Sequence, residues 1–496
     1  MLNALLLAAH ASAATVKTDA SARRWVATAI ERMGGPAALS ALSTLRLEWV
    51  GYRNLLEQSE RPEGPWIPQI ERTVEIWDVR AGRWDETTEA TTADETYSIR
   101  TIVADGAAAR RFGETWGPAG EADIVEAKEW MALAPQQLLL DAAAAPDLRR
   151  EPDTTLQGVR QHAVSFGSGE DQRRIFLSGE TGFLTAVEIR RAYPESLYWQ
   201  VWGDVTTRVQ YSYWDICPGG LFYPLQWDVE RGGRPWRSLT ITKLEPGAAP
   251  PADAFVIPDA AKNAFAERSK HSLENPAFGS PSRPAVELSP GVVYVPGSWG
   301  VALVRQSDGV VVLEAPISAG YSARVLEEAE RRFPGVPVKA VVTTSDSWPH
   351  IGGIREYAAR GIPVYLLDHN VAQIRRALES PHRLHPDALM RAPRKPTLRA
   401  VSGRTVLGNG PNRIELLPAR TETGERMMLA FLPESGLLYA SDLFQAGRGG
   451  PPEYAWEVAE VARREHLQVR TVFAMHSDPT PWEKLLELVA AAQKPR

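Results

Sequence analysis

The strongest constraint on the fold lies in residues 338–367. Residues 338–342, Val-Lys-Ala-Val-Val, read as a buried strand. Residues 354–360 read as a short helix stopped at Gly361, and 362–367 as a second apolar strand. Between the first strand and the helix runs the loop 343–353, Thr-Thr-Ser-Asp-Ser-Trp-Pro-His-Ile-Gly-Gly. Strands alternating with helices in this way fix a layered fold, and a loop between such elements is where chemistry is usually carried.

The rest of the C-terminal half repeats the theme. Residues 293–296, 301–305 and 309–313 read as successive strands, and 323–332 as a helix ended by Phe333-Pro334-Gly335. Further strands are expected at 413–417, 427–431, 437–440 and 469–474, with helices at 453–465 and 481–491. The pattern and its central loop resemble the metallo-β-lactamase superfamily over residues 286–496, including its first metal motif, His-x-His-x-Asp-His followed by Gly-Gly. Laid on this chain, that motif falls on Ser345, Ser347, Pro349 and His350, so one of the four ligands remains. The resemblance implies an αβ/βα sandwich. It also implies a middle histidine at the position of Arg420 (Pro418-Ala419-Arg420-Thr421), a bridging aspartate at Asp442 (Ser441-Asp442-Leu443-Phe444) and a final histidine at His476 (Met475-His476-Ser477).

In the family, the two missing motif histidines and the middle histidine build one metal subsite, which this chain has replaced by Ser345, Ser347 and Arg420. The other subsite keeps His350, Asp442 and His476. Two imidazoles and a carboxylate suffice for a single divalent ion with open positions for water. Zinc leads that expectation, with manganese or iron on the same trio as alternatives, and no ion at all if the site is inert. Arg420 suits a carboxylate, phosphate or sulfate group through its planar fork of donors, with Ser345 and Ser347 adding hydroxyls. That half-metal, half-arginine site assigns His350, Asp442 and Arg420 to catalysis. It assigns Ser345, Ser347 and Arg420 to substrate binding.

Each residue also has a structural reading. His350 caps the helix after Gly-Gly, Asp442 accepts turn N–H groups, His476 is a surface loop residue, and Arg420 salt-bridges Asp442 or Asp346. Asp346, Asp368, His369 and Asp478 are substitute ligands or turn residues. His382 and His385 flank a proline-rich insertion and are expected to be solvated. A Ser–His–Asp triad from Ser345 or Ser347 with His350 is conceivable, while P-loop, G-x-S-x-G and GxGxxG motifs are absent.

The N-terminal half has a different texture. Residues 44–52, 71–77, 96–103, 173–177, 183–190, 207–213, 222–229 and 238–244 alternate apolar and polar residues, as half-buried antiparallel strands do. Helices are expected at 23–33 and 130–143, making a curved sheet with covering helices over residues 20–258. Twelve of the 16 tryptophans precede residue 259. They either enclose an apolar ligand or pack across strands. With the closing Ala254-Phe255-Val256-Ile257-Pro258, the first option is similar to periplasmic lipoprotein-carrier half-barrels. Residues 259–285, polar and proline-punctuated, read as a linker.

At 496 residues the chain exceeds a single core, and the whole is read as an α+β chain of two domains. A net charge of −6 provides no basic field for nucleic acid, and no long apolar run follows the N-terminus. Cys217 is the sole cysteine, so no internal disulfide exists. Residues 1–14 read as an export signal: residues 2–9 are apolar and Ala11-Ser12-Ala13 offers a cleavage site, although no Lys or Arg precedes them. A frayed apolar terminus is the other reading. The sequence thus points to a periplasmic or secreted hydrolase acting on a small or lipid-like molecule at a degenerate, at most mononuclear site. The alternative is a non-catalytic ligand-binding envelope protein with a pseudo-enzyme domain.

Overall fold

The computed structural model describes residues 19–57, 61–93, 95–279, 282–297, 299–445 and 454–492. The expected export signal lies outside them. Among the described residues no helix is long and apolar enough to cross a membrane.

Residues 44–246 build a 14-stranded sheet whose paired strands all run antiparallel. All eight strands expected here form, and six more join them. The additions include Arg83–Thr91 and Val159–Phe166, whose polar content hides their alternation. Neighbouring strands are mostly consecutive in the chain. The main exception is the centre, where Thr44–Asn54 pairs with Arg234–Pro246 and joins two meanders. The expected helix at 130–143 is two helices, Glu121–Ala132 and Pro135–Ala144. Pro135 forces Ala134 into extended backbone and so breaks the run. These helices and Ala20–Met33 cover one face of the sheet, over Leu45, Leu47, Trp77, Trp84 and Trp227. Eight of the twelve N-terminal tryptophans are buried, and Trp49, Trp130 and Trp227 pack tilted or edge-on against one another at 5.1–6.0 Å. Most of the indoles are therefore packing residues.

The segment expected as a linker begins instead with the helix Asp259–Arg268. Its Ala261 buries with Ile102, Ala104, Ala109 and Phe255 on the sheet's opposite face, while its Phe265 joins the main core. Two apolar residues four apart were too short a stripe to stand out among the charges.

Residues 286–481 form two further sheets. The first orders Val286–Ser289, Val292–Val295, Val301–Gln306, Gly309–Leu313, Val338–Thr343, Val364–Leu367 and Leu398–Val401, antiparallel to begin with and parallel from Gly309–Leu313 onward. The second orders Thr405–Leu407, Ile414–Pro418, Met428–Leu432, Leu437–Tyr439, Thr471–Ala474 and Ser477–Pro481. Alternate residues of both sheets, such as Val311, Leu313, Val342, Leu416, Ala430 and Phe473, meet in one buried layer. The residues between them face outward onto helices. Ala319–Arg332, Ile354–Ala359 and Val371–Glu379 cover the first sheet, and Ala455–Arg464 and Trp482–Ala492 cover the second. Burial on both faces explains why strands such as Gly-Val-Val-Val-Leu are apolar throughout. The layering is the helix–sheet–sheet–helix sandwich expected from the sequence.

One apolar cluster runs from Ala22 through to Leu389, so the large sheet and the sandwich share buried surface. Trp348, 2% exposed, sits edge-on between Trp199 and Trp202 at 4.9 and 5.1 Å. Gln200 Nε2 donates to the carbonyls of Ile317 and Gly352 at 2.7 and 3.3 Å. The loop that drew attention in the sequence is therefore clamped against the 14-stranded sheet.

Candidate metal centre

His350 arrives through the loop that follows the strand Val338–Thr343. A one-turn 3₁₀ segment, Trp348–Ile351, places it, and the Gly-Gly pair holds that segment down. A Cβ at Gly352 would lie 2.4 Å from the Ile317 carbonyl, and one at Gly353 would lie 2.0 Å from Ser322 Oγ. Close approach, not unusual backbone, is what these glycines provide. Gly353 N–H then donates to Ala315 O, and Ile317 N–H to Pro349 O, both at 2.8 Å.

Asp442 follows the strand Leu437–Tyr439 in a tight turn where Ser441 takes a left-handed conformation, φ 51°. His476 stands in the turn after Thr471–Ala474. Three strand ends thus bring His350, Asp442 and His476 together, with one donor atom from each within 4.8 Å of the others. His350 Nε2 lies 2.6 Å from Asp442 Oδ2, and His476 Nε2 lies 3.4 Å from Asp442 Oδ1. Neither the capping nor the free-surface reading describes the histidines. Trp299 closes one side, its ring 4.5 Å from His476 and 5.5 Å from His350.

Behind His350 stands a residue that the sequence reading passed over. Glu314 ends the strand Gly309–Leu313, is wholly buried, and holds a left-handed φ of 83°. Its Oε2 lies 3.6 Å from His350 Nδ1. Its Oε1 accepts from Thr344 N–H at 3.0 Å and from the Thr344 hydroxyl. Thr344 in turn contacts Ser441 Oγ at 2.7 Å, linking the His350 loop to the Asp442 turn. The signal for Glu314 was present: a lone carboxylate directly after an apolar run, where burial demands a partner.

Burial opposes charge on His350, but Asp442 and then Glu314 outweigh it and push the imidazole up to about 10. Burial likewise resists ionisation of Asp442, yet His350 and His476 hold its carboxyl far below the usual range. His350 Nδ1 and Nε2, Glu314 Oε2 and Asp442 Oδ1 are all buried without a well-formed hydrogen bond. Buried orphans of this kind need an explanation.

The donor set fits one divalent ion, with two imidazoles, a carboxylate and a second carboxylate backing one imidazole. Donors about 2 Å from a common ion stand roughly 3–4 Å apart, so His350 and Asp442 would separate slightly to admit it.

The remaining expectations fare differently. Arg420, φ 50°, turns to Asp368 and His369, with NH2 2.7 Å from Asp368 Oδ1 and NH1 2.7–2.9 Å from the His369 ring. The salt bridge expected with Asp442 or Asp346 is corrected, because the guanidinium pairs with Asp368 and His369 instead. Asp346 is instead held by Arg426, whose NH2 and Nε lie 2.5 and 3.0 Å from Asp346 Oδ2. Ser347 Oγ donates to Glu57 O at 3.0 Å, and Ser345 Oγ accepts from Ser347 N–H at 3.1 Å. Neither serine hydroxyl hydrogen-bonds His350, which removes the triad alternative. Asp478 pairs with Arg283. His385 is exposed as expected, but His382 is buried, because Gly203 lets the insertion pack onto the large sheet.

No family model matches the chain, and no curated protein matches it. Solved structures similar to it include a metallo-β-lactamase from Pontibacter korlensis, at 13% identity and TM-score 0.33, covering 42% of this chain and 99% of that one. One from Hirschia baltica follows at 15% and 0.32, covering 43% and 100%. One from Erythrobacter litoralis shows 16% and 0.32, covering 42% and 95%. Similarity at this level assigns no activity, substrate or metal to the chain.

Proposed function

We propose that the chain is a hydrolase with a single-metal centre held by His350, Asp442 and His476. The observation that carries this reading is the convergence of three donor atoms within 4.8 Å at three strand ends, with Glu314 buried behind one of them. A divalent ion held there supplies a bound water of pKa lowered toward neutrality, a hydroxide source for attack on an ester, amide or phosphoester. The protein's own groups do the rest. Glu314 and Thr344 fix the plane of His350, Ser441 fixes the Asp442 turn, and Trp299 gives the site an apolar wall that limits water. The apolar run and small residues at positions 2–13 support a place in the cell envelope, with a small molecule as substrate.

A second reading rests on the 2.6 Å His350–Asp442 contact. A protonated imidazole locked to a carboxylate has no lone pair to offer, and in that state the site is an inert ion pair. Metal analysis of the purified full chain separates the two. Near-stoichiometric zinc, manganese or iron, lost in His350→Ala and Asp442→Ala, supports the hydrolase. Metal-free protein that takes up no added zinc at pH 8 supports the ion pair.

A further inference from the structure

The helix-covered face of the 14-stranded sheet carries a feature that a purely apolar lining does not need. Glu75 and Glu86 lie directly opposite each other on the neighbouring strands Pro68–Asp78 and Arg83–Thr91. Like charges facing across a sheet are destabilising. Glu75 is 0% exposed; its Oε2 accepts from Trp77 Nε1 at 2.8 Å, and its Oε1 has no partner. The nearby guanidinium acts on the pair only through space: Arg237 is bound through Nε and NH2 to Glu71 Oε2 at 3.0 and 2.9 Å, and its charge pulls Glu75 and Glu86 back toward the ionised form against their burial. Glu71 also holds Gln69 at 2.8 Å and Arg53 at 3.5 Å. Glu86 receives one bond, from Thr88 Oγ1 at 3.1 Å. Around them the buried indole nitrogens of Trp49 and Trp130 meet no acceptor in good hydrogen-bond geometry, although Trp49 lies close enough to Glu75 to favour its ionised form.

We propose that this face binds a protonated amine, its ammonium bridging Glu75 and Glu86 among the indoles. An ammonium brings donors to the orphaned oxygen and a positive charge to the two facing carboxyls. Burial and the facing Glu86 push Glu75 up to about 8, so near neutrality the pair carries a proton that a bound cation displaces. A chelated metal ion fits less well. Among the described residues, the group with three His, Cys, Asp or Glu donors within 4.8 Å is His350, Asp442 and His476. An acyl chain would leave Glu75 Oε1 unsatisfied.

The test is calorimetric titration of the full chain with butylammonium chloride, against potassium chloride at equal ionic strength, in two buffers of different ionisation heat. The expected result is saturable one-to-one binding with release of up to one proton. Binding should be at least about tenfold weaker in Glu75→Gln and unchanged in Glu48→Gln, on the opposite face. Glu86→Gln serves if circular dichroism shows Glu75→Gln misfolded. The proposal is overturned by the absence of saturable heat up to about 10 mM, or by a folded Glu75→Gln or Glu86→Gln that binds like the parent.

Discussion

Replacing Glu314 tests whether a buried carboxylate governs the candidate centre from behind. In Glu314→Ala the Thr344 N–H and hydroxyl lose their common acceptor inside a closed core. Each bond to a carboxylate acceptor is worth about 1.5–3 kcal/mol, so losing both should cost about 3–6 kcal/mol of stability. Glu314→Gln is the sharper probe. Its amide oxygen can keep both Thr344 bonds while its NH₂ faces His350 Nδ1, now 3.6 Å from a carboxylate oxygen. Nδ1 must then accept, which puts the ring proton on Nε2, the nitrogen turned toward Asp442. Loss of such a backing carboxylate lowers metal affinity by about 10–100-fold, or roughly 1.4–2.8 kcal/mol. Competition for zinc against a chromophoric chelator reads the affinity, and urea unfolding reads the stability. Zinc affinity in a stable Glu314→Gln within twofold of the parent refutes the positioning argument.

Three further outcomes are expected. Trp348→Ala should cost about 3–5 kcal/mol by emptying the slot between Trp199 and Trp202, read as a fall in the urea midpoint; a cost under about 1 kcal/mol would show that the contact does not couple the loop to the large sheet. Arg426→Ala strands Asp346, which burial already pushes above its usual range against the pull of Arg426, and should lose about 3 kcal/mol; recovery in the double variant with Asp346→Asn identifies the stranded charge as the cause. Burial, then Arg355, hold His382 down at about 4 despite Asp387, against 6.5 in the unfolded chain. The unfolded state therefore binds the extra proton between these values. Stability from His382 is complete above pH 6.5 and is lost as pH falls toward 4, by about 3 kcal/mol in all. Urea midpoints from pH 4 to 8 should show this slope in the parent and its absence in His382→Gln, and parallel curves would contradict it.

Much of the sandwich was readable because its strands are buried on both faces. Continuous apolar runs such as 309–313 and 338–342, separated by amphipathic helices, have few other uses. The strands missed are those that carry polar residues inward. Arg83–Thr91 reads Arg-Trp-Asp-Glu-Thr-Thr-Glu-Ala-Thr, and its inward carboxylate at Glu86 looks like a solvent residue until Glu75 appears opposite it. The helix Asp259–Arg268 was lost for a related reason, since two buried side chains in ten residues do not make a visible stripe. At the site, His350, Asp442 and His476 were found because each sits at a strand end beside a recognisable turn. The partners of Arg420 were not legible, because it takes a left-handed backbone and its long side chain meets Asp368 and His369.

By itself, then, the order of residues determined most of the elements and three of the side chains gathered at the candidate centre. Hydrophobic periodicity and turn chemistry act over a few residues and are written locally. Tertiary structure alone decided the partners. It placed Glu314 behind His350, Arg426 on Asp346, Trp348 between two distant tryptophans and Glu75 against Glu86. Those pairings join positions from about ten to about 150 residues apart, and a charge or an indole in isolation carries no mark of what it will meet once water is excluded around it.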